Sequence, residues 1–142
     1  MPNDFVTYDE IQIGDKASFS KTISESDVYQ FAGIIGDFNE LHINQPAAEE
    51  SLFKSRVVHG CLADSLVSTV LGMKYPGKGT IFLEKSVSYI KPVYIGDTVT
   101  VEITAAEKRE KGRVLFDVSY HNQDGTEVIK GTVLVLAPFK KQ

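Results

Sequence analysis

Gly60-Cys61-Leu62-Ala63-Asp64-Ser65-Leu66-Val67-Ser68-Thr69-Val70-Leu71-Gly72 is apolar nearly all round, broken only by Asp64, Ser65, Ser68 and Thr69. A helix of that composition is one that its neighbours bury. After the break at Tyr75-Pro76-Gly77-Lys78-Gly79 the hydrophobic period changes to two. Residues 80–89, 98–105, 114–121 and 128–136 then read as four strands. Glu110-Lys111-Gly112 and Asn122-Gln123-Asp124-Gly125 have the composition of hairpin turns. An antiparallel sheet needs cover on one face, and the 60–72 helix supplies it. The fold class is therefore α+β, one sheet wrapped around one apolar helix.

Upstream of that helix, residues 17–23 alternate as a first strand, and Ser24 with Asp27 resembles a capping box opening a helix. Val28, Phe31, Ala32 and Ile35 fall on one helical face. Gly36 follows, where a left-handed residue ends a helix. A further short helix is expected over 45–52, with Pro46 in its first turn. The four strands after the helix are expected to run as a meander. The whole chain, 1–142, reads as a single domain, since it contains no repeat, linker or low-complexity segment.

The composition narrows the function. A hydrophobic fraction of 42% and a charged fraction of 24% are those of an ordinary globular protein. A net charge of −4 without a basic run argues against nucleic acid. The longest apolar run, near residues 65–73, is too short for a membrane span. Met1–Phe5 lacks the regions of a signal peptide, and Cys61 is the only cysteine. A cytoplasmic protein without an internal disulfide is expected.

The chemistry-bearing residues cluster around two short stretches. Gly36-Asp37-Phe38-Asn39-Glu40-Leu41-His42 places a carboxylate and an imidazole five residues apart just past a helix end. Val57-Val58-His59-Gly60 then leads into the apolar helix. A carboxylate and an imidazole can share the two proton transfers of one reaction, in either order. A free backbone N–H at a helix start, here that of Gly60, can stabilise an oxyanion. That set suggests acid–base chemistry on an acyl substrate.

At Asp37-Phe38-Asn39-Glu40-Leu41-His42 and Val58-His59-Gly60, and onward through Pro76-Gly77-Lys78-Gly79, Pro92-Val93 and Gly96-Asp97, the chain resembles the MaoC-like hydratases of the hot dog fold. It is most similar to their single-domain (R)-specific enoyl-CoA hydratases. Glu40 departs from the family's frequent proline, which leaves that turn less rigid. The resemblance implies a long central helix inside a curved antiparallel sheet, and a homodimer paired sheet to sheet. It implies an acyl-CoA thioester as substrate. No cofactor is expected, and a metal held by Asp37, His42 and His59 is not expected either, since no local ligand signature such as His-Glu-x-x-His is present. Water would add across the 2,3 double bond of a trans-2-enoyl-CoA to give the (R)-3-hydroxyacyl-CoA. The same machinery would serve dehydration of 3-hydroxyacyl groups on acyl carrier protein or on a specialised acyl-CoA. A non-catalytic acyl-thioester binding module is the non-enzyme alternative.

The catalytic candidates are Asp37, His42 and the Gly60 N–H. The substrate-binding candidates are Asn39, Ser68, Leu71 and Arg56. Asn39 also suits an Asx turn, and a helix-interior Ser68 also suits a bond back to its own helix. His59 reads as a structural histidine that fixes the turn. Cys61 reads as a small buried hydrophobe, and Tyr75, Phe82 and Tyr89 as core.

Overall fold

The computed structural model describes residues 4–140. The reading that Met1–Phe5 lacks the regions of a signal peptide lies mostly outside them. Five strands, β1 (Lys16–Thr22), β2 (Ile81–Tyr89), β3 (Thr98–Lys108), β4 (Arg113–His121) and β5 (Glu127–Leu136), form one antiparallel sheet in the order β1-β3-β4-β5-β2. Only β3, β4 and β5 run as a meander. β2 does not pair with its sequence neighbour β3 but crosses to the far edge and pairs with β5, which corrects the four-strand meander. The segment from Lys91 to Asp97 is too structured to be a hairpin turn: Val58 N–H bonds to Val93 O at 2.7 Å and Gly96 N–H to Ile23 O at 2.7 Å.

The helices after Ser24 and within residues 45–52 form where the sequence signals them, whereas the short one that carries His42 stands where a loop is expected. Ser24 caps α1 (Glu25–Ile35) by accepting from Asp27 N–H, and Asp27 returns the bond to Ser24 N–H. Gly36 ends it at φ 80, which a side chain would strain. Two short helices follow, α2 (Glu40–Ile43) and α3 (Gln45–Glu49), capped by Asn39 and Asn44.

The apolar segment is helical over residues 60–74, in three pieces: α4 (Gly60–Asp64), α5 (Leu66–Thr69) and a π-helical turn (Val70–Lys74). The break at Ser65 has a visible cause. The Tyr120 hydroxyl donates to Asp64 O at 2.6 Å, and Ser68 N–H turns instead to Ser65 O at 3.0 Å. A side chain entering the ladder in this way bends a helix.

Ala63, Leu66, Val67, Val70 and Leu71 face the sheet where it meets the helix at β1 and β3, and share one core with Val99, Val101 and Ile103 of β3 and Val114, Phe116 and Val118 of β4. The strand residues alternate inward and outward as their period requires. The helix is not buried all round, however: Cys61, Ser68, Met73 and Lys74 lie on an open side. This is the α+β hot dog arrangement, with one face of the helix uncovered in the single chain.

β2 lies close against β5 at Gly131, where a Cβ would fall 1.9 Å from Ser86 O. Gly131→Ala forces the two strands apart, at a cost of about 1–3 kcal/mol. The thermal midpoint of that variant is expected to fall by several degrees; an unchanged midpoint would contradict the packing described.

Candidate active site

The left-handed turn at Gly36 throws the chain off α1 and into a loop that carries Asp37. The loop is rigid because it satisfies itself. Asp37 Oδ1 accepts from Asn39 N–H at 3.1 Å, and Asn39 Oδ1 accepts from Leu41 N–H at 3.0 Å. Asn39 thus caps α2, which carries His42, and its own side chain points to solvent-exposed backbone rather than into a cavity.

His42 Nδ1 lies 2.7 Å from Val57 O. A carbonyl oxygen only accepts, so Nδ1 carries the proton and Nε2 presents a lone pair. That lone pair faces Asp37 Oδ2 at 3.9 Å. The gap is too long for a direct hydrogen bond and suits a water about 2.8 Å from each atom. The His42 side chain is only 12% exposed against 45% for Asp37, so the acid sits at the outer edge and the imidazole inside.

His59 occupies the ground beneath this pair. Its ring stacks on His42 with centroids 3.7 Å apart, and Phe31 meets it edge-on at 5.1 Å. His59 Nε2 donates to Asp37 O at 3.1 Å, tying the helix start to the Asp37 loop. Nδ1 of His59 is buried without a partner among the described residues. Asp37, His42 and His59 together have the donor types of a metal triad. His59 Nε2 also lies 4.0 Å from Asp37 Oδ2, but it is already bonded to Asp37 O.

Gly60 follows directly, and its N–H has no acceptor within the chain among the described residues. Its backbone is not left-handed; what requires a glycine is the Tyr89 ring, whose Cε1 would lie 2.7 Å from a Cβ there. A cavity of about 580 Å³ opens here, walled by Leu41, His42, Val58, Gly60, Tyr89 and Pro92 among others. Its lining is largely apolar, with Lys91 as the cation at its edge.

The substrate-binding candidates are placed elsewhere in this chain. Leu71 is 2% exposed and belongs to the core, because the helix turns that face to the sheet. Ser68 is on the open side of the helix, and the serine that bonds back is Ser65, to Leu62 O at 2.6 Å. Arg56 is held by Glu25, by Tyr29 OH at 2.8 Å and by Gln45 Oε1 at 3.2 Å. The Glu25 hydrogen bond in particular raises the Arg56 pKa above its ordinary value.

Four residues lie otherwise than the sequence reading places them: Cys61, Tyr89, Phe82 and Asp64. Cys61 is exposed and lines the cavity rather than filling the core. Tyr89 is 56% exposed and Phe82 39%, so neither is a core residue, whereas Tyr75 packs on Phe116 as expected. Asp64, an apparent interruption of the helix, is 1% exposed and is held by Lys85 and Tyr89 of β2. Burial of the hydroxyl end, then that hydrogen bond, push the Tyr89 phenol up to about 12.

Residues 10–125 match the family described as MaoC like domain. This chain belongs to that family. A protein of Rhodospirillum rubrum named (R)-specific enoyl-CoA hydratase is 41% identical over 132 residues, 92% of this chain and 91% of that one. Among solved structures, the R-hydratase PhaJ1 from Pseudomonas aeruginosa in the unliganded form superposes with a TM-score of 0.91 at 35% identity, over 97% of this chain and 89% of that one. The (R)-hydratase from A. caviae involved in PHA biosynthesis gives 0.87 at 36% identity, over 90% and 98%. Membership makes the chain a hydro-lyase of the hydratase and dehydratase type.

The two carbonyl contacts demand opposite tautomers of neighbouring histidines. Long-range nitrogen–proton correlation spectra of the neutral forms should show His42 protonated at Nδ1 and His59 at Nε2. The reverse assignment at either ring would contradict this geometry.

Proposed function

We propose that this chain is an (R)-specific enoyl-CoA hydratase, reversibly adding water to trans-2-enoyl-CoA to give (R)-3-hydroxyacyl-CoA. The observation that carries the reading is the 3.9 Å gap between the bare Nε2 of His42 and Asp37 Oδ2, with His42 on the wall of an apolar cavity. The names of relatives 41% and 36% identical support the substrate class.

In this scheme one water bridges the gap. His42 Nε2 takes its proton as the oxygen bonds to C3 of the enoyl group. The second hydrogen stays on the oxygen and donates a hydrogen bond to the Asp37 carboxylate, which also stabilises the imidazolium as it forms. Charge moves to the thioester oxygen, which accepts from the Gly60 N–H. A donor of this kind is worth about 2.7–4 kcal/mol in a transition state. The imidazolium then returns the proton to C2, so that one water is added and the site is restored.

A homodimer belongs to the same proposal. β2 has one unpaired edge, and Ile81, Phe82 and Leu83 on it are exposed. An open apolar edge of that length is usually covered. A second copy pairing there would also bring surface towards the open side of the helix, where Ser68 lies.

Asp37→Asn and His42→Ala should each lower crotonyl-CoA hydration about 10²–10⁴-fold with the fold intact by circular dichroism. Hydration near the wild-type rate in either variant would sink the scheme.

A further inference from the structure

We propose that Tyr89 sets the clearance above Gly60 and excludes acyl groups that carry a substituent at C2. The inference rests on the reading above that the Gly60 N–H receives the thioester oxygen.

Tyr89 is the last residue of β2, and its ring leaves the strand to lie against the central helix. A Cβ built on Gly60 would meet Tyr89 Cε1 at 2.7 Å, Cδ1 at 3.0 Å and Cζ at 3.2 Å. The ring therefore occupies the space that any other residue at position 60 would fill with its own side chain.

It is tethered there. The Tyr89 hydroxyl donates to Asp64, one helical turn beyond Gly60 on the same face. Lys85 reaches the other oxygen of that carboxylate from four residues back on β2, the same face of the strand. Asp64 is 1% exposed, and a buried carboxylate that loses a partner is strongly destabilised. Swinging the ring away would take a donor from Asp64, so the wall is stiff. The raised phenol pKa keeps the hydroxyl a donor throughout the physiological range.

The ring is nevertheless a wall and not core, since it is 56% exposed and borders the cavity. An oxygen accepting from Gly60 N–H at about 2.9 Å puts the carbonyl carbon and C2 within about 5 Å of that nitrogen. A methyl at C2 then competes with the ring for the same volume. An unbranched C2 passes.

Binding of saturated thioesters tests this without turnover. Calorimetry with butyryl-CoA and 2-methylbutyryl-CoA gives a ratio of dissociation constants for wild type, Tyr89→Phe and Tyr89→Leu. Wild type is expected to prefer butyryl-CoA by about tenfold or more, the usual worth of one misplaced methyl group. Tyr89→Phe keeps the ring but loses its tether to Asp64, and should lower the ratio part-way. Tyr89→Leu should bring it to about twofold or less, through a gain for 2-methylbutyryl-CoA. Equal binding by wild type, or an unchanged ratio in Tyr89→Leu, would each overturn the proposal. Failure of the hydratase reading shows separately, as absence of crotonyl-CoA turnover by wild type.

Discussion

Burial of one side of the 60–74 helix against β1 and β3 is the constraint on which everything else depends. Ala63, Leu66, Val67, Val70 and Leu71 lose their contact with water only in that position. Fixing the helix fixes its start, and Val58 is stitched to Val93 immediately before it. His59 then stacks on His42 and bonds Asp37 O, so the Asp37 loop is registered on the helix through one imidazole. The candidate acid, base and N–H donor come from two separate segments. Their spacing is a consequence of core packing rather than of loop geometry alone.

Asp64 looks like a fault in that core and is a bolt across it. A buried carboxylate contributes little net stability even when well paired, but it makes its partners obligatory. Lys85 and Tyr89 are drawn from β2, and the Tyr120 hydroxyl from β4 holds the adjoining carbonyl. One helical residue thus binds the edge strand, the middle of the sheet and the cavity wall together. The same tyrosine ring that completes this network stands over Gly60.

Features set by local chemistry were readable from the residues: the Ser24 capping box, the left-handed Gly36, and the alternation along β3 and β4. The crossing of β2 to β5 was not, because strand order is decided by long-range pairing that no turn signal encodes. The rotation of the central helix was also hidden. Its sequence is so evenly apolar that no face stands out, and so Cys61 was expected inside and Leu71 at a cavity. The inward turn of Asp64 depends on partners 21 and 25 residues away, which spacing alone does not bring together. Asp37, His42 and Gly60 drew attention through their pattern, while Tyr89 carried no pattern at all.

The account stands or falls on where the atoms of one water go. Hydration of crotonyl-CoA by the purified chain in ¹⁸O-labelled water, followed by chiral separation and mass analysis, reads this directly. The account predicts (R)-3-hydroxybutyryl-CoA with a single label on the C3 oxygen and no release of free thiol. Label in a carboxylate with thiol release, or an (S) product, would contradict it.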